Sequence, residues 1–218
     1  MSRPEELRDL LRLLVITDGP LAAPRSVVDI VAQAVEAGAR AVQLRNKGES
    51  ARELIAVGRD LRVLTREHGA LLLVNDRLDV ALSLDADGVH LGPEDLPIAA
   101  ARAIVPGAFF IGRSADDPEV AQRAVAEGAS YIGCGTVYST TTKGDAGDVI
   151  GLGGLERVAR SVDVPVVAIG GITADRAVEI AGTSAAGVAV VGAVMAAPAP
   201  GEAVRSLMAP FSDRGPTP

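Results

Sequence analysis

Eight short apolar, β-branched runs alternate with eight Ala/Glu/Arg-rich stretches of helical periodicity along these 218 residues. The strand candidates are Leu13–Thr17, Ala41–Leu44, Leu71–Val74, Gly88–Leu91, Phe109–Gly112, Tyr131–Gly133, Pro165–Ile169 and Val188–Val191. Helical patterns lie near 25–37, 50–68, 77–84, 97–104, 117–127, 154–161, 173–181 and 200–209, with Asp117 and Thr173 placed as N-caps. Continuous apolar strands separated by helices predict a parallel sheet covered by helices. Eight such units in one chain favour an α/β fold of the (β/α)8 barrel type. The competing doubly wound sheet wants a G-x-G-x-x-G after its first strand, and none follows here. No linker or low-complexity stretch divides the chain, so residues 1–211 read as one barrel domain and 212–218 as a disordered tail.

Composition narrows the function. A net charge of −7 and 2% aromatics argue against nucleic-acid binding, which needs a basic face and stacking platforms. No run approaches the roughly 18 apolar residues of a membrane span, and Met1 to Asp9 lacks a signal-peptide core. The expectation is a cytoplasmic protein that meets neither membrane nor nucleic acid. The single cysteine, Cys134, fits a reducing compartment and a packed strand end.

Polar residues follow the strand runs: Thr17-Asp18, Arg45 to Lys47, Asn75-Asp76, Gly92 to Asp95, Ser114, Thr140 to Lys143, Gly170-Gly171 and Gly192. In a barrel these positions converge on the C-terminal face, where βα loops build active sites. Among 21 basic residues only Lys47 and Lys143 are lysine, and both fall in this set. Lysine binds phosphate oxygens as a point charge. Gln43, Arg45 and Lys47, spaced i, i+2, i+4, would share the inner face of an extended strand and form an anion site. Asp76 and Asp95 beside it suit Mg²⁺ completed by waters and substrate oxygens. Thr140, Thr142 and Lys143 lie in the longest loop, Gly135 to Gly154, and suit phosphate or diphosphate. The glycines after strands seven and eight, Gly170-Gly171 and Gly192, allow a second phosphate to approach backbone amides. Of the two histidines, His68 ends a helix and His90 reads as a packed core residue. No Ser-His-Asp or Cys-His set can be assembled, so the rim suits departure of a good leaving group rather than base catalysis.

Taken together the motifs resemble the thiamine-phosphate synthase family. They are Gln43-Leu-Arg45-Asn-Lys47, Val74-Asn75-Asp76-Arg77, Ala86-Asp87-Gly88-Val89-His90-Leu91-Gly92, Glu94-Asp95-Leu96-Pro97, Gly112-Arg-Ser114, Thr140-Thr-Thr142-Lys143, Gly151-Leu152-Gly153, Ala168-Ile-Gly170-Gly171-Ile172 and Gly187-Val188-Ala189, in family order over roughly residues 11 to 195. The resemblance implies a Mg²⁺-dependent transferase joining a pyrimidine diphosphate to hydroxyethylthiazole phosphate, giving thiamine phosphate and pyrophosphate. It also implies that Gln43, Arg45, Lys47, Asn75, Ser114 and Lys143 contact the pyrimidine diphosphate, with Arg45, Lys47, Ser114 and Lys143 catalytic. Asp76 and Asp95 would bind Mg²⁺, and Thr140, Thr142, Gly171, Val191 and Gly192 the thiazole phosphate. Pro93, Arg113, Ser139 and Gly192 depart from the family pattern. The sister thiazole tautomerases rely on a histidine shortly after this serine, where Ala115-Asp116-Asp117 stands here. A tautomerase-like isomerase and a non-catalytic regulatory barrel are the other readings. The sequence leaves open whether the chain acts as a monomer or a homo-oligomer.

Overall fold

A computed structural model of the chain describes residues 3–46, 48–140 and 148–212. Its eight parallel strands are β1 (Leu13–Ile16), β2 (Ala41–Leu44), β3 (Leu71–Asn75), β4 (Gly88–Leu91), β5 (Phe110–Ser114), β6 (Tyr131–Cys134), β7 (Val166–Ile169) and β8 (Gly187–Val190). They close in sequence order, with β8 pairing β1. The expected (β/α)8 barrel is therefore the fold.

The helices are α1 (Arg3–Leu10), α2 (Gly19–Ala22), α3 (Val27–Glu36), α4 (Ala51–Glu67), α5 (Leu78–Ser83), α6 (Ile98–Arg102), α7 (Pro118–Ala126), α8 (Gly151–Arg160), α9 (Ala174–Ala181), α10 (Gly192–Met195) and α11 (Pro200–Met208). Side-chain caps fix several starts. Ser50 and Glu53 close a capping box on α4, Asp117 accepts from the Glu119 and Val120 amides, and Thr173 accepts from Arg176 N–H.

The pleat divides each strand between two environments. Val15, Val42, Leu72, Val74, Ile132 and Val188 pack outward against the helices, as does fully buried Cys134. Leu14, Ile16, Ala41, Leu73, Tyr131, Val167 and Ala189 fill the barrel, joined by Leu7 from α1 and Leu11 just after it. Leu11 and Arg12 carbonyls lie against Gly187, so α1 covers the N-terminal end of the barrel. Burying these apolar side chains stabilises the fold by roughly 25 cal/mol per Å² removed from water. Side chains near the opposite end of the same lumen turn polar.

Several sequence expectations shift in detail. The charged start folds as α1, and the short helices α2 and α10 follow β1 and β8. Strands β3 and β5 run one and two residues further than their apolar stretches, taking in Asn75 and Ser114. The expected tail at 212–218 lies outside the described residues apart from Ser212.

Candidate active site

Parallel strands put all eight C-terminal ends at one mouth, and the described candidate residues are distributed around it. Gln43 lies in β2, 2% exposed, inside the barrel. Strand β2 ends at Leu44, so the expected run of three inward side chains on one strand does not form as drawn. The chain continues beside β1 by a side-chain substitute. Arg45 N–H donates to Thr17 Oγ1 (2.9 Å), and the Thr17 hydroxyl donates to the Arg45 carbonyl (2.9 Å). The Arg45 guanidinium lies 3.5 Å from Asp18, both side chains largely buried. Asp18 also accepts from Leu21 N–H, capping α2. One carboxylate thus starts a helix and orients the arginine, a role that the sequence alone did not indicate. Lys47 lies outside the described residues, as do Thr142 and Lys143.

Asn75 ends β3, and Asp76 follows in the left-handed region at φ 61°. Aspartate tolerates that conformation better than most residues. Asp76 N–H donates to the His90 carbonyl (2.8 Å), tying the end of β3 to β4. In the next loop Asp95 Oδ2 accepts from Gly92 N–H (2.6 Å). The same turn is held from outside: Arg113 Nη1 donates to the Gly92 carbonyl (2.5 Å), with Nη2 3.5 Å from that of Pro93. Arg113 and Pro93, two departures from the family pattern, therefore meet at the turn that carries Asp95.

His90 does not pack in the apolar core as its neighbours Val89 and Leu91 suggested. It points into the lumen with Nε2 2.9 Å from Ser114 Oγ and Nδ1 3.0 Å from the Tyr131 hydroxyl. Burial holds the Tyr131 phenol well above the ordinary tyrosine value, opposed by its hydrogen bond with Gln43. Tyr131 is fully buried and escaped the sequence reading, since an aromatic residue at a strand start is more often core.

The loop after β6 is anchored at its base. Val137 and Tyr138 amides donate to the Ile169 and Gly170 carbonyls, and Ile150 N–H donates to the Thr136 carbonyl (2.9 Å). Thr140 leaves this base toward residues 141–147, which are outside the described set. Gly171 has φ 62°, and a Cβ there would stand 2.6 Å from the Ser139 carbonyl. Only glycine suits both demands. Arg176 donates to the Gly171 carbonyl (2.5 Å) and lies over the Tyr138 ring at 4.6 Å, while Tyr138 donates to Glu179 (2.7 Å). Val191 and Gly192 open α10, which has no side-chain cap. Among the described residues no group of three His, Cys, Asp or Glu gathers as a metal cluster, and no helix is long and apolar enough to cross a membrane.

Fold and rim define a class: a (β/α)8 barrel enzyme whose mouth is polar, histidine-poor and ringed by amides, hydroxyls and an oriented arginine. The chain belongs to the thiamine monophosphate synthase family, which matches residues 13–194. It is 50% identical over 191 residues to the thiamine-phosphate synthase of Pyrococcus furiosus, covering 88% of this chain and 90% of that one. The thiamine-phosphate synthase of Roseiflexus castenholzii is 49% identical over 193 residues, covering 88% and 85%. The solved thiamine phosphate pyrophosphorylase from Pyrococcus furiosus superposes with a TM-score of 0.87 at 46% identity, covering 95% of this chain and 98% of that one. The protein is accordingly a transferase that releases pyrophosphate.

Proposed function

We propose that the protein joins 4-amino-2-methyl-5-(diphosphooxymethyl)pyrimidine to hydroxyethylthiazole phosphate, giving thiamine phosphate and pyrophosphate. The observation that carries this reading is the placement of Gln43, Arg45, Asn75 and Ser114 at the mouth ends of β2, β3 and β5, in a chain of this family. In the reaction the C–O bond between the pyrimidine methylene and the diphosphate breaks, and its electron pair leaves on oxygen. The thiazole nitrogen lone pair then forms the new C–N bond to the resulting pyrimidine cation. No strong base is required, in keeping with a rim whose one histidine is engaged with two hydroxyls.

Arg45, with Lys47 and Lys143, would stabilise charge as it develops on the leaving diphosphate. Asp18 holds the Arg45 guanidinium in one orientation, which lowers the ordering cost of that contact. Gln43, Asn75 and Ser114 would bind and orient the pyrimidine diphosphate. Thr140, Thr142, Gly171, Val191 and Gly192 would receive the thiazole phosphate, the last two through backbone amides. Asp76 and Asp95 fit Mg²⁺, an ion that accepts one or two carboxylates and completes its octahedron with water and substrate oxygens. Asp95 is held in place by the Gly92 N–H bond to its Oδ2. When bound, the ion would neutralise diphosphate charge.

Residues 1–211 form one catalytic domain in this reading, 212–218 a tail, and the cytoplasm is its compartment. Purified protein supplied with both substrates and Mg²⁺ should yield thiamine phosphate only when all three are present. Absence of product with every component supplied would overturn the reading.

A further inference from the structure

Four side chains from four strands form one hydrogen-bonded chain across the lumen beneath the rim. Gln43 of β2 bonds the Tyr131 phenol of β6, Tyr131 Oη lies 3.0 Å from His90 Nδ1 of β4, and His90 Nε2 lies 2.9 Å from Ser114 Oγ of β5. The two ends are residues that the proposed function assigns to substrate. The middle pair has no role in it. Glycines make the space: a Cβ on Gly112 would overlap the Tyr131 ring, and one on Gly133 would stand 2.9 Å from His90 Cε1.

His90 is bonded at both ring nitrogens, so Ser114 Oγ is tied through the imidazole to a phenol that is itself fully buried. Loss of the Tyr131 hydroxyl would leave the imidazole held at one nitrogen only, and Ser114 less firmly placed.

We propose that Tyr131 and His90 are positioning residues that hold Ser114 Oγ in the place from which it hydrogen-bonds the bound pyrimidine diphosphate. The proposal rests on the reading that Ser114 touches that substrate.

The test is a cycle of Tyr131→Phe and Ser114→Ala, each checked for folding by circular dichroism. Tyr131→Phe should raise KM for the pyrimidine diphosphate about fivefold, the scale of one hydrogen bond, and leave KM for the thiazole phosphate unchanged. In the double variant the two effects should not add, because both act through one hydroxyl. A Ser114→Ala defect with a silent or additive Tyr131→Phe overturns the relay alone. A Ser114→Ala variant indistinguishable from the parent overturns the substrate contact, and the relay's role with it.

Discussion

The Tyr131 ring occupies the space that a side chain on Gly112 would take. The two residues face each other in register on β5 and β6, and a Cβ on Gly112 would overlap Cζ, Cε1 and Oη. The tyrosine is fully buried, so it cannot swing away without emptying the lumen. Gly112→Ala should destabilise the fold by about 1–3 kcal/mol, the usual cost of overpacking. A denaturant titration reads this directly, and an unchanged midpoint would contradict it.

Asp18 has two tasks, the cap on α2 and the orientation of Arg45, and two substitutions separate them. Asp18→Asn keeps a capping oxygen but drops the charge. It should leave stability within about 0.5 kcal/mol of the parent while weakening pyrimidine diphosphate binding. Asp18→Ala should cost about 1 kcal/mol in addition. Equal binding by the parent and both variants would remove Asp18 from the site.

If Lys47 and Lys143 stabilise the departing diphosphate, Lys47→Ala or Lys143→Ala should lower kcat by about a hundredfold, the scale of losing one preorganised charge partner. Excess EDTA should abolish turnover and added Mg²⁺ restore it. Undiminished rates in both lysine variants would show that neither meets the leaving group.

Acid sensitivity should trace in part to Glu156. Ser184 N–H (2.7 Å) and the Ser184 hydroxyl (3.0 Å) donate to its carboxylate, and the backbone bond above all holds its pKa below the usual carboxylate value. A group with a depressed folded pKa binds fewer protons folded than unfolded, so its contribution is present above the unfolded value near 4.5 and fades as pH falls through the folded one. The side chain is 35% exposed, so the effect is modest. Glu156→Gln should flatten the fall in stability below about pH 4.5 relative to the parent. Parallel pH curves would contradict the assignment.

Cys134 faces the helices with no exposed surface, and burial first, then Asp116, pushes its thiol up to about 12. It should resist thiol reagents at neutral pH in the native protein and react fully in denaturant. Rapid native labelling would show that β6 opens.

Strand order and barrel closure were legible because each outward and inward pair of apolar residues leaves a continuous hydrophobic run. The polar ends were less so. Asn75 and Ser114 look like loop residues by composition, yet they remain in β3 and β5 because the lumen near the mouth accepts polar side chains. Four-residue helices such as α2 and α10 are too short for periodicity to register. The Tyr131–His90–Ser114 contacts depend on the register of three strands, which no local pattern encodes. Arg113 illustrates the same limit from outside the barrel: in the sequence it is only a departure from the family pattern, and in the fold it grips the Gly92 and Pro93 carbonyls.

The most direct test of the central claim is to quantify thiamine phosphate and pyrophosphate in one time course, for the parent and for Lys143→Ala. Equal amounts of both products at every point, formed more slowly by the variant, are predicted. Pyrophosphate released from the pyrimidine diphosphate without matching thiamine phosphate would contradict the proposed substitution.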